Sequence, residues 1–341
     1  MRQVLLTLAA LASFGLIAAV SIVGLGLYNV SVKVGHLPGV SWVLHTTFRN
    51  GVRLRAPPIE EVPDLSDPAL IALGAGHYAS ACAPCHAAPG EPHTATMRAM
   101  LPEPPLIGEA IEGWQPNHLH WIVENGIKMS GMPAWPARQR GDEVWSVVAY
   151  LEALRQPTAP ALPRSEEDQG PPGGTYCATC HGDIDRHVPR LDIQNAAYLA
   201  AQLEDYLTGA RASGIMQHAA SAVPPETLPD LAKHFAQRAA RSAVSVPQQA
   251  GAEGRELATR GTRKVPACTA CHGPNKPDRR PNTPALAGQD AAFLKTQLRL
   301  WRDGIRRGSD KMEAAARALS DAEINLLAQW FAAQVPEKEE H

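Results

Sequence analysis

The sequence predicts an all-α protein: an N-terminal transmembrane helix followed by three small helical domains. Three observations lead there. The Val, Ile and Thr alternation that marks strands is nearly absent, while alanine is abundant and 30 prolines punctuate the 341 residues, a composition of short helices joined by turns. A chain of this length exceeds one simple core. Aromatic residues make up only 5 % of it, low for cores filled by side chains alone. The formal net charge of -2 gives no signal for nucleic acid or another polyanion.

No charged residue occurs from Gln3 to Val32, and Val4–Tyr28 is an apolar run of 25 residues, long enough to span a bilayer as a helix. A cleaved signal peptide has a shorter apolar core, about 7–15 residues, ending in a small-x-small site. Neither feature is present here. We therefore expect an uncleaved anchor over residues 1–30 and a juxtamembrane linker over 31–67. Arg2 precedes the span, while Lys33, Arg49, Arg53 and Arg55 come after it. That bias argues weakly for a cytoplasmic C-terminal part, so orientation must come from the chemistry of the C-terminal domains.

All six cysteines fall into C-x-x-C pairs followed by histidine: Cys82, Cys85 and His86; Cys177, Cys180 and His181; Cys268, Cys271 and His272. A zinc ribbon takes two such pairs per metal and needs no histidine, so three pairs leave one over. A thioredoxin-like pair needs a βαβ setting that the sequence lacks. Covalent haem attachment uses every cysteine. Two thiols on one helical turn add to the two vinyl groups, and the next histidine faces the iron. The expectation is three covalently attached haem c groups. Such attachment in bacteria occurs outside the inner membrane, so the domains should be periplasmic.

Domain one is expected over 68–156, with a helix over Pro68–Ser80 ahead of its motif. It closes with "GDEVWSVVAYLEAL", whose Val144, Val147, Val148 and Leu151 face inward, with Trp145 and Tyr150 near the flanks. A linker at 157–175 separates the domains, since Pro157–Tyr176 holds five prolines and three glycines and cannot be helical. It leaves domain two, 176–248, without a helix ahead of Cys177. Domain three, 249–341, regains one at Gly251–Arg260 and ends in a helix capped by Ser320 and Glu323. Domains two and three repeat each other. Pro189, Leu191, Gln194, Tyr198, Gln202, Tyr206 and Arg211 match Pro284, Leu286, Gln289, Phe293, Gln297, Trp301 and Arg306, on a helix with one buried face.

An iron held by histidine has a second axial position. Met216 is the only methionine between Tyr176 and Val246, and Met312 the only one between Pro247 and His341. Each comes after the repeated helix, and a thioether there suits a low-spin, high-potential iron. The alternative is a methionine filling a core gap. Domain one offers Met97, Met100, Met129 and Met132. Met132 is preferred because Pro133 fixes the backbone beside it, with Met129 as runner-up. His118 and His120 are alternatives whose expected role is structural, as for His77, His93, His187, His218 and His234.

These motifs resemble class I c-type cytochromes repeated three times. Domains two and three are similar to dihaem cytochromes of the c-four type, through "CHG", "P-x-L-x-x-Q" and "Y/F-L-x-x-Q-L". Domain one resembles membrane-anchored monohaem cytochromes through "NGIKMSGMPAW". The resemblance implies His/Met iron, and a proline carbonyl on each proximal histidine: Pro189, Pro284, and Pro104 or Pro105. It implies an electron carrier rather than an enzyme, with integral-membrane redox complexes (an oxidase or a quinol-linked complex) or a small periplasmic cytochrome as partners. The expected role is a tethered respiratory relay toward a terminal oxidase; the alternative is the cytochrome subunit of a membrane-bound periplasmic dehydrogenase. Three methionine ligands argue against a peroxidase, which needs an open iron. Charge is uneven: Arg255–Lys311 has 13 bases against 5 acids, while Pro68–Arg155 has more acids than bases. Opposite faces can steer different partners, or can be two solvated surfaces without a role.

Overall fold

The computed structural model describes residues 1–128, 130–157, 160–163, 170–182, 184–239, 251–273 and 282–336. They contain helices and turns and no strand, as the composition predicts. Helix α1 (Arg2–Gly24) has no buried residue and is long and apolar enough to cross a membrane. It stops short of the expected end of the apolar run, at Gly24–Leu25–Gly26, where Gly26 takes a positive φ of 65°.

The stretch expected as a linker carries a second helix, α2 (Val40–Arg55). Phe48 and Val52 lie four residues apart and make its inner stripe. Val52 is fully buried, and Phe48 meets Trp114 edge-on at 5.4 Å between centroids. Farther along, Asn117 donates to the Pro57 carbonyl at 2.8 Å, so this segment is fastened to the first haem-motif domain.

Helix α3 (Pro68–His77), started by the Asp67 side chain accepting from Ala69 N, crosses α5 (Gly141–Ala153). Helix α4 (Pro116–Asn125) packs beside α5. The α3–α5 crossing is backbone-close: a Cβ on Gly74 would collide with the Ser146 carbonyl. Val144, Val147, Val148 and Leu151 are buried as expected. Tyr150, expected at a flank, is fully buried too, because its ring packs on Tyr78 at 5.4 Å.

The second group holds α6 (Gly174–His181), α7 (Ala196–Leu207), α8 (Gly214–Ser221) and α9 (Leu228–Gln237). The third holds α10 (Ala252–Arg260), α11 (Ala291–Arg302), α12 (Asp310–Arg317) and α13 (Asp321–Ala332), the last with the Ser320–Glu323 capping box. Here α10 crosses α13 as α3 crosses α5, and Gly254 lies against the Leu326 carbonyl. The second group has no such crossing among the described residues. A stub at Gly170–Gly173 fills that place, with Gly173 at φ 91° against Val223 and Leu231. Each group has its own apolar core among the described residues.

Candidate haem sites

Each Cys-x-x-Cys-His lies on a helical turn: Ala83–His86, the end of α6, and Thr269–His272. Three residues apart on a helical turn, the two thiols of each motif are neighbours on its surface. Five of the six cysteines are half-buried and Cys271 is exposed. Burial, reinforced by Cys85, pushes Cys82 up to about 12, and burial, reinforced by Cys177, pushes Cys180 up to about 11. None of the six cysteines is in a disulfide, and among the described residues no three His, Cys, Asp or Glu side chains converge as a metal site. Among the described residues, the zinc alternative finds no assembled set of ligands.

The three histidines share one contact. His86 Nδ1 lies 2.8 Å from the Pro105 carbonyl, His181 Nδ1 3.2 Å from that of Pro189, and His272 Nδ1 3.0 Å from that of Pro284. A carbonyl only accepts, so each Nδ1 carries the proton and Nε2 keeps the lone pair that binds metal. Between Pro104 and Pro105, the geometry selects Pro105.

The second and third groups share one cavity of about 1760 Å³, lined by Cys177, His181 and Met216 on one side and Cys268, Cys271, His272 and Met312 on the other. That exceeds the roughly 300–1,000 Å³ of a single small-molecule pocket and suits two large ligands. Ser213 and Ser309 cap the helices that present the methionines, accepting from Met216 N at 3.1 Å and Met312 N at 3.4 Å. The wall between the sites is built symmetrically. Gln194 exchanges two hydrogen bonds with Ala285, at 2.8 and 2.9 Å, and Gln289 two with Arg190, at 2.8 and 3.1 Å. Gln202 and Gln297 each accept from both Arg211 and Arg306, at 2.6 to 3.1 Å.

Those two arginines supply the test of fit. Arg211 stacks on Tyr206 at 4.6 Å and Arg306 on Trp301 at 4.9 Å. Burial, and then Arg211, pull the Arg306 guanidinium below its usual range. Their hydrogen-bond partners are glutamines and the Tyr198 hydroxyl, with no carboxylate among the described residues. Paired buried cations without an anion are costly. The propionate groups of haem are the anions such a wall lacks, so these residues fit that cofactor.

In the first group, Met132 sits in a tight turn, with its N–H on Ser130 Oγ at 3.1 Å and its carbonyl accepting from Ile127 N at 3.2 Å. Met129 lies outside the described residues. Met100, not favoured by its place in the sequence, comes to the same turn, its Cε lying against Gly131. Other histidines make structural contacts, though His93 Nε2, His120 Nδ1 and His218 Nε2 are buried without a hydrogen-bond partner among the described residues. His120 stacks on Trp145 at 4.0 Å and contacts the Gly141 carbonyl at 2.8 Å, while His118 accepts from Gln115 N. His77 is pushed down to about 4 by burial and by His218.

His187 does more than fill a structural place. It adopts a positive φ of 67° and touches all three groups. Its backbone N–H donates to Asp290 at 3.1 Å, and its Nε2 lies 2.9 Å from Asp67. The second motif also abuts the first group directly: Gly76 lies against Cys180 Sγ, and Tyr176 donates to Ser80 at 3.2 Å. Helix α3 thus packs against the motif that has no separate helix ahead of it.

Comparison with known proteins identifies similar chains. The family model described as cytochrome C oxidase, cbb3-type, subunit III matches residues 69–151 and 250–331. A thiosulfate dehydrogenase electron acceptor from Stutzerimonas stutzeri (strain A1501) is 35 % identical over 197 residues, 54 % of this chain and 91 % of that one. One of the same description from Thiomonas intermedia (strain K12) is 35 % identical over 175 residues, 48 % of this chain and 81 % of that one. A cytochrome c4 from Thiocapsa roseopersicina is 30 % identical over 172 residues, 46 % of this chain and 85 % of that one. With Cys-x-x-Cys-His turns, proline-oriented histidines and these relatives, the chain belongs to the c-type cytochromes and is an electron carrier.

Proposed function

We propose that the protein is a three-haem carrier, tethered to the bacterial inner membrane by α1, with its haem domains in the periplasm. It takes electrons from a periplasmic dehydrogenase and hands them toward a terminal oxidase. The observation that carries this reading is the shared cavity with two His–Met sets, joined through Cys180 and α3 to a third motif.

Bound covalently, haem c supplies reversible one-electron chemistry at each site. The protein's part is to orient and insulate. Pro105, Pro189 and Pro284 fix the tautomer of His86, His181 and His272; Met132, Met216 and Met312 offer soft thioethers; Arg211 and Arg306 hold positive charge inside the shared cavity. Two relatives described as electron acceptors of thiosulfate dehydrogenase support a dehydrogenase as donor. A model for a cbb3-type oxidase subunit matching residues 69–151 and 250–331 supports an oxidase as acceptor.

The test is kinetic. Purified chain should be reduced by a thiosulfate-oxidising dehydrogenase within its turnover time and reoxidised by oxidase-containing membranes. Deletion of the gene should abolish thiosulfate-dependent oxygen uptake. Loss of quinol-dependent uptake alone would place the carrier after a quinol-linked complex instead. A pyridine haemochrome assay returning two haems per chain would refute the three-site reading.

A further inference from the structure

Helix α8 carries Met216 as its third residue, and its start is held from outside its own group. Glu143, in the first turn of α5, accepts from Ser213 Oγ at 2.6 Å with one oxygen, and from Gly214 N at 2.6 Å and Ile215 N at 3.4 Å with the other. Arg140 pairs with Glu143 at 2.8 Å and donates to the Ala212 carbonyl at 2.8 Å. Asp142 holds Arg140 from behind, at 2.8 and 2.9 Å. Arg140 is 5 % exposed and Ser213 3 %, so these are desolvated, charge-assisted bonds.

The packing is as specific as the polar contacts. Ala212 and Ile215 pack against the first group's apolar core. The Trp135 ring sits where a side chain on residue 214 would have to go, which leaves glycine as the residue that fits. The repeat in the third group shows what this part of the chain looks like without such a partner. Ser309 caps Met312, but the position of Gly214 is taken by Asp310, an exposed acid at the helix start. No carboxylate from the first group reaches that helix among the described residues.

We propose that the first group clamps the loop before Met216, so that Glu143 and Arg140 set how firmly that thioether meets its iron. The control acts on the second haem and not on the third. The inference rests on Met216 being an iron ligand. Glu143 and Arg140 are positioning residues, acting through Ser213 and the N–H groups of residues 214 and 215. Undocking the first group would free the loop and weaken the sulfur–iron bond, which couples contact at one end of the chain to the electron affinity of its middle.

The full-length holoprotein tests this. Met216→Ala first identifies which haem loses its near-infrared sulfur-to-iron band. In Glu143→Ala, imidazole should displace the methionine at that same haem with an affinity raised about tenfold, the size expected for losing a charged hydrogen bond. Its potential should fall, and the other two haems should keep their potentials and spectra. Glu143→Gln, which can still accept one bond, should lie between. Should Glu143→Ala fail to load haem, Ser213→Ala cuts the same bridge from the other side and should give the same selective change. Unchanged imidazole affinity and potential in these variants would overturn the clamp while leaving Met216 as ligand. A retained band in Met216→Ala would overturn both.

Discussion

Asp67 receives two side chains from beyond the second motif: Arg186 Nη2 lies 2.6 Å from one of its oxygens, and His187 Nε2 2.9 Å from the other. The same carboxylate caps α3 through Ala69 N. Burial alone would raise its titration point, but the hydrogen bonds from His187 and Ala69 and the Arg186 charge outweigh burial and set it below the ordinary range. A carboxylate depressed in the folded state stabilises above its unfolded value and loses that contribution as pH falls through the folded one. The contact between the first two groups should therefore hold at neutral pH and weaken as pH drops below about 4. Asp67→Asn keeps a capping residue and should lower stability at pH 7 by about 0.5–1 kcal/mol, since Arg186 is half exposed. Thermal unfolding at pH 7 and pH 3 checks this: the mutant and the parent should converge in acid.

Met216→Ala and Met312→Ala should each remove about one third of the near-infrared sulfur-to-iron absorbance and lower one haem's potential. Among the first group's methionines, Met132→Ala should remove another third and Met100→Ala none. If Met100→Ala instead abolishes it, the turn beside Gly131 serves only to place Met100.

Replacing Arg306 by glutamine removes a buried positive charge from the shared cavity. Potentiometric titration should show a fall on the order of 50 mV in the haem nearest it. Arg211→Gln should act the same way on its counterpart, and Arg317→Gln, an exposed substitution on α12, should change neither.

Gly74→Val places a side chain into the Ser146 carbonyl at the α3–α5 crossing. It should destabilise the protein by about 3 kcal/mol or more, and Gly254→Val, at the matching crossing of α10 and α13, should do likewise. Differential scanning calorimetry of the loaded proteins checks both. An unchanged midpoint would show that the helices can slide apart at little cost.

Removing residues 1–30 should move the protein from membrane pellet to supernatant, while the full chain resists an alkaline carbonate wash. Release of the full chain by the wash would show that α1 does not span.

The candidate sites are legible in the sequence because the chemistry they suggest is local. Two thiols and an imidazole must share one helical turn, so Cys82, Cys177 and Cys268 announce themselves in five letters each. The repeat between groups two and three shows Met216 and Met312 as equivalent. The contacts between groups are not legible, since they join residues with no periodic relation, such as Glu143 with Ser213 or Asp67 with His187. The burial of Tyr150 is hidden for the same reason: its partner Tyr78 lies outside its own helix. The sequence does hold one signal of the docking between groups. Where group three has Asp310, group two has Gly214, and a glycine replacing a helix-start acid marks something packed against it.

The cavity that holds two His–Met sets has an electrical consequence. Under the three-haem reading, an electron placed on one side of the Gln194–Gln289 wall repels the next one arriving on the other side, in an interior where charge is poorly screened. The pair then fills in two steps spread apart in voltage even if its two irons are intrinsically alike, and the observed midpoints belong to the pair. On that reading the chain would work as a small capacitor, holding charge over a range of donor potentials and releasing it to its acceptor one electron at a time.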